Sequence, residues 1–140
     1  MTKVWVVEIE GCMASSAAIT HDVMATANRV SGTKRAVPFK VTTLRCGSRR
    51  SGLELRGADL VIVPGLGTAS PDELDAKLNS LACRRARGLL REAFEGGAML
   101  AASCASTFLL AEAGLLEGRD RKSTRLNSSH IQKSRMPSSA

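Results

Sequence analysis

Hydrophobic residues in this chain come in short runs separated by amphipathic stretches. Lys3–Ile9 (Lys-Val-Trp-Val-Val-Glu-Ile) is apolar and rich in β-branched residues, which predicts a buried strand starting at the N-terminus. Gly11 ends it, and Ser15 or Ser16 is placed to cap a helix running to about Val30, stopped by Gly32. A second strand is expected over Pro38–Leu44, followed by a turn-rich connector, Gly47 to Gly57, that could form a small hairpin. Asp59–Val63 reads as a third, almost wholly apolar strand. The loop Pro64-Gly65-Leu66-Gly67 follows, and its glycines allow close backbone approach. Ser70-Pro71-Asp72-Glu73 has the order of a helix start, and helix is expected from there, in one or two pieces, to Phe94. Gly96-Gly97 breaks it before a fourth strand, Ala98–Ala102, and a last helix, Thr107–Ala113, that ends at Gly114.

Strands that alternate with helices predict a parallel sheet, because each crossover helix returns the chain to the same edge. The fold class is therefore α/β, a doubly wound parallel sheet with helices on both faces. No internal repeat is visible.

Charge changes the picture only after it is divided. The net charge of +7 suggests a nucleic-acid partner. Residues 1–119, however, hold fifteen basic and twelve acidic side chains, a net of +3, and the remaining surplus lies in the last twenty-one residues. Aromatic residues are four in all, Trp5, Phe39, Phe94 and Phe108, so platforms for stacking bases are scarce. The cluster Arg84-Arg85-Ala86-Arg87 reads as a solvated helix face. Cys12, Cys46, Cys83 and Cys104 lack the spacing of a zinc site, and no metal or other cofactor is expected. No cleavable leader and no apolar run of membrane-spanning length is seen, so free thiols in a reducing cytoplasm are the expectation.

Asp120–Ala140 breaks the periodicity and is rich in Ser, Lys and Arg. Asp120 to His130 and Ser134 to Ala140 each back-translate to segments that resemble the two ends of a common short-read sequencing adapter, with Ile131-Gln132-Lys133 across the variable index. The expectation is two unlike parts: 1–119, an incomplete α/β domain, and 120–140, a non-native tail carrying no function. A sheet missing its last strands is further expected to expose apolar surface and to be marginally stable.

The stretch Ala101-Ala102-Ser103-Cys104-Ala105-Ser106 carries the candidate chemistry. A strand ends, the chain turns sharply, and a helix begins at once, as in a nucleophile elbow. In open α/β sheets ligands collect at the carboxyl ends of the strands. Gly65, Leu66 and Gly67 are thus expected beside Cys104 and Ala105, with their backbone N–H groups available to an anion. The residues alone leave two readings of Cys104 open: a reactive thiol, or a small apolar side chain buried between sheet and helix. Cys12, just after the first strand, could line the same crevice. His21 reads as a helix-surface or packed residue rather than a base.

Val63-Pro64-Gly65-Leu66-Gly67, the run from Ala101 to Arg119 with its Leu110-Ala111-Glu112-Ala113-Gly114-Leu115-Leu116, and Ala17 to Arg29 together resemble the ThiJ/PfpI domain. That domain has the flavodoxin-like, class I glutamine-amidotransferase-like fold. The second and third segments are similar to the branch found in GlxA-type AraC-family transcription regulators. The resemblance implies a cytoplasmic sensor that binds a small molecule and forms a homodimer, with DNA held by a separate C-terminal helix-turn-helix domain. The alternative it implies is a cysteine-dependent amidase, protease or glyoxalase-like enzyme acting through Cys104. Departures from the enzymatic pattern favour the sensor. Ala105 stands where enzymatic members often have His, and Ser16 stands where members of the ThiJ type have an acid on the first helix.

Overall fold

A computed structural model describes residues 1–31, 37–47 and 55–118. Four strands, β1 (Thr2–Ile9), β2 (Phe39–Cys46), β3 (Leu60–Val63) and β4 (Met99–Ala102), form one sheet. Their order is β2-β1-β3-β4, and every neighbouring pair is parallel. The helices are α1 (Ala14–Ser31), α2 (Pro71–Leu78), α3 (Leu81–Glu95) and α4 (Ser106–Glu112). The α/β parallel architecture expected from the periodicity is what the chain adopts. The helix stop at Gly32, most of the Gly47–Gly57 connector and the tail from Asp120 lie outside the described residues.

Alternation along the strands sorts their side chains to two faces. On β1, Val7 and Ile9 join the main core cluster with Leu44 and Cys46 of β2 and Val61 and Val63 of β3. Helix α3 closes that face with Ala82, Cys83, Ala86, Leu90 and Ala93, and α4 adds Leu109 and Leu110. The intervening residues Val4, Val6 and Glu8 point to the other face, where α1 buries Ala17 and Met24. Helices on both faces make the sheet doubly wound.

Coverage of the second face is uneven. Helix α1 packs on β1 and β2. At β4, Leu100 and Ala102 pack toward the core cluster, whereas Met99 and Ala101 are exposed, Met99 at 70%. A parallel strand is normally covered on both sides. Among the described residues, the α1 side of β4 has no such cover, which agrees with the expected exposure of apolar surface.

Helix boundaries follow their caps. Ser70 accepts from Glu73 N at 3.2 Å, and the Glu73 carboxylate accepts from Ala69 N at 2.8 Å, so α2 begins where Ser-Pro-Asp-Glu predicted. Ser80 caps α3 in the same way through Cys83 N, which divides the expected 70–94 helix in two. The start of α1 corrects the sequence reading. Neither Ser15 nor Ser16 is its cap; the helix begins at Ala14, with Ala17 N bonded to the Met13 carbonyl. The Ser16 hydroxyl is instead committed to a contact between elements.

Candidate functional site

Strand β3 ends in Pro64-Gly65, and the two peptide units after Val63 are stitched to elements on both sides. Ser103 N donates to the Val63 carbonyl at 3.0 Å, and the buried Ser106 hydroxyl donates to the Pro64 carbonyl at 2.5 Å. Gly65 N donates to Ser16 Oγ at 2.9 Å, and the Gly65 carbonyl accepts from Met13 N at 2.8 Å. A Cβ placed on Gly65 would lie 3.6 Å from Ser16 Oγ and 3.7 Å from Cys104 Cβ. Gly65 and Cys104 therefore meet, and Ser16, which the elbow reading did not place there, joins them.

Cys104 has a φ of +52°, a backbone conformation that β-carbon-bearing residues rarely adopt. The strand-turn-helix geometry of an elbow is thus present, and Cys104 is exposed at its crest. That decides between the two readings of its position: it is not a buried packing residue. Its carbonyl accepts from Thr107 Oγ1 and Thr107 N, which fixes the turn.

The loop itself departs from the role expected of it. The Gly65 N–H is already given to Ser16, so it is not free for an anion. Leu66 is fully buried in the core cluster, where its side chain belongs by hydrophobicity. Gly67, at φ +73°, sits with its Cα against the turn after β1; an added Cβ would be 3.1 Å from Met13 N and 3.2 Å from the Gly11 carbonyl. Ala105 is half-buried and faces a hollow of about 510 Å³ shared with Phe108 and the start of α2.

In the order β2-β1-β3-β4 the sense in which strands are added reverses between β1 and β3, and ligands in open sheets favour the crevice outside the carboxyl ends at such a point. Here Gly67 lies against the Gly11–Met13 turn at that point. The larger opening lies one strand over, between the carboxyl ends of β1 and β2 and the first turns of α1. It has a volume of about 760 Å³ and is lined by Glu8, Ile9, Glu10, Gly11, Cys12, Ala14, Ala17, Ala18, His21, Arg45, Cys46 and Gly47. Cys12 lines this pocket.

Sequence reasoning missed the polar group at its centre. Glu8 is the acid on an otherwise apolar face of β1, two residues beyond Val6 and four beyond Val4. Its Oε1 lies 2.9 Å from His21 Nε2, and its Oε2 accepts from Arg45 Nε at 3.4 Å. The Glu8 side chain is 18% exposed and that of Arg45 87%. A charged residue on the buried face of a strand, together with a histidine on the next helix, was the available signal. The Arg84–Arg87 cluster makes no comparable site. Arg84 is exposed, Arg85 donates to the Gly47 carbonyl at 3.1 Å, and Arg87 pairs with Glu112 of α4. Among the described residues no group of three His, Cys, Asp or Glu is arranged to hold a metal ion. No helix among them is long and apolar enough to cross a membrane.

The four thiols differ. Burial raises Cys46 above its ordinary value of 9.0, with Cys83 nearby adding to the effect. Cys83 is likewise raised by burial, and Cys12 by burial and then by the Glu8 carboxylate. A raised thiol is held protonated by the fold, so the stability it contributes is complete below pH 9.0 and is lost as pH rises through the folded value. The unfolding midpoint in urea is expected to fall once pH exceeds 9.0. At neutral pH, iodoacetamide is expected to add first at exposed Cys104, more slowly at half-buried Cys12, and at Cys46 and Cys83 only after denaturation. Peptide mapping that finds Cys46 or Cys83 labelled as fast as Cys104 would contradict this.

No family model and no curated protein matches the chain. Among solved structures it is similar to an AraC family transcriptional regulator from Pseudomonas putida, with a TM-score of 0.57 and 23% sequence identity, over 86% of this chain and 78% of that one. At that identity the likeness establishes the fold.

Proposed function

We propose that residues 1–119 are the ligand-sensing and dimerisation part of a GlxA-type AraC-family transcription regulator, a ThiJ/PfpI domain that has kept the elbow and given up catalysis. DNA would be bound by a helix-turn-helix part encoded beyond Arg119. The small-molecule site is the pocket between α1, β1 and β2 rather than the elbow crest.

One observation carries the non-catalytic reading. Cys104 stands beside Ser16 and Gly65, and among the described residues its thiol has no hydrogen bond or ion pair to an acid or base. A cysteine nucleophile needs a partner that takes its proton and later returns it. A serine hydroxyl bonded to a backbone N–H does neither. His21, the sole histidine among the described residues, is tied to Glu8 in the pocket. The sharing of fold with an AraC family regulator is consistent with the sensor.

Helix α1 gives a route from ligand to assembly. Ala14, Ala17, Ala18 and His21 line the pocket, while Ile19, Val23 and Val30 form an exposed apolar row on the same helix. A ligand that shifts α1 would shift the face a second copy covers, and it acts by its difference in affinity for the two arrangements.

The test uses the full chain with methylglyoxal and with a peptide p-nitroanilide. No turnover that depends on Cys104 is expected. Turnover abolished by Cys104→Ala would replace this reading with the ThiJ/PfpI enzyme. Independent sequencing of the source gene past the Arg119 codon is expected to run into two helix-turn-helix patterns; a genomic copy of the 120–140 tail would overturn the two-part division.

A further inference from the structure

We infer that the α1–β1–β2 pocket takes a small organic anion, a carboxylate on an apolar body, with Arg45 as the residue that selects the head group. The inference rests on the ligand-sensing reading above and names the chemistry of that site.

Most hydrogen-bonding groups at the pocket are already committed within the fold. Glu8 is the most buried charged side chain at the pocket, and both its oxygens are engaged, one by His21 and one by Arg45. It therefore serves the protein rather than a ligand: it anchors the Arg45 guanidinium by its Nε edge. The Glu10 carbonyl accepts from Lys77 Nζ at 2.5 Å, and the Gly47 carbonyl accepts from Arg85. The peptide N–H groups at the bottom of the opening are used within the fold, Glu10 N by the Cys46 carbonyl and Cys12 N by the Ile9 carbonyl.

The Glu10 side chain, also at the pocket, is engaged as well, whereas the outer edge of Arg45 has no such bond among the described residues. Its Nε is the one nitrogen in a bond among the described residues, and the two terminal nitrogens stand in a strongly exposed side chain at the mouth. A guanidinium edge with two parallel N–H groups matches a carboxylate's two oxygens, and Glu8 behind it holds the fork in orientation. The walls below are Ile9, Ala14, Ala17 and Ala18, which suit an apolar body. An ammonium ligand would find both oxygens of Glu8 taken and the Glu10 side chain engaged, with Arg45 repelling it. A neutral ligand would leave the exposed Arg45 fork to water and gain no charge-assisted pair from it.

The experiment is calorimetric titration of the full chain with three probes of one body and different heads: hexanoate, hexylammonium and hexanol. Hexanoate is expected to bind at least about tenfold more tightly than either of the others, the usual scale of a charge-assisted pair. Arg45→Gln should remove that advantage while leaving the unfolding midpoint in place. Arg29→Gln, the same charge change on the exposed side of α1, should leave it intact. Hexylammonium or hexanol binding as well as hexanoate would overturn the assignment of ligand class yet keep the pocket as a ligand site. Equal loss in Arg29→Gln and Arg45→Gln would reduce the effect to bulk charge and overturn the role of Arg45. Absence of binding by all three would overturn the inference and, with it, the pocket's place in the proposed function.

Discussion

Gly67→Val is expected to unfold the chain or leave it barely folded. The position has φ +73°, where a β-branched residue is a genuine outlier, and the cost of left-handed backbone alone is about 1–2 kcal/mol. To that is added a clash that no side chain can relieve, because the atoms 3.1 and 3.2 Å from an added Cβ are backbone, Met13 N and the Gly11 carbonyl. Forcing extra carbon into a packed contact costs roughly a further 1–3 kcal/mol. Against a total stability of order 5–15 kcal/mol for an ordinary domain, in a sheet with one flank uncovered, that sum is large. Two companions separate the causes. Gly114→Ala has nearly the same φ, +74°, with nothing within 4 Å, and should show the backbone term alone. Gly65→Ala meets Ser16 and Cys104 at ordinary contact distance without a positive φ, and should be nearly neutral. Urea midpoints decide it, with Gly67→Ala added for a like-for-like comparison: equal losses in Gly67→Ala and Gly114→Ala would mean that the turn after β1 yields and that the backbone contact adds no cost.

The same contact explains where the sequence could be read and where it could not. Strands β1, β3 and β4 announce themselves as apolar runs, and the Ser70 cap of α2 is a local signal that the tertiary structure uses unchanged, whereas the Ser80 cap of α3 goes unrecognised. The elbow at Cys104 is local too: a strand, four small residues and a helix specify it, and its φ of +52° follows from the tightness of the turn. Ser16 shows the limit of such signals. Serine before a helical pattern reads as a cap, yet its hydroxyl is drawn to Gly65 N, forty-nine residues away, and the helix starts without it. Leu66 fails for a related reason. Within a glycine loop it looks placed to face a ligand, whereas the loop folds its one large apolar side chain into the core. The pocket's location depends on strand order, which periodicity does not encode. Only with β1 set between β2 and β3 do Glu8, His21 and Arg45 come from three elements to one opening.

Leu90→Ala is expected to cost about 2–5 kcal/mol, toward the upper part of that range. Of the residues α3 buries, Ala82, Cys83, Ala86 and Ala93 are small, and Leu90, fully buried, is the one large side chain among them. Small residues let a helix approach the sheet closely, and the single leucine then fills the space left between backbone layers. Removing it leaves a void that alanines cannot move to occupy, and such rigidity at the cavity wall places a site high in the range. Leu81→Ala, at a partly exposed position on the same helix, should cost under about 1 kcal/mol. Because α3 lies on the face of the sheet opposite α1, the effect should be one of stability, not of ligand chemistry. At temperatures where Leu90→Ala remains folded, it should bind hexanoate as the unmodified chain does, whereas Arg45→Gln should do the reverse, stable but unable to discriminate the head group. A fall in hexanoate affinity in folded Leu90→Ala would instead show that the packing of α3 sets the shape of the pocket through the shared strands β1 and β2.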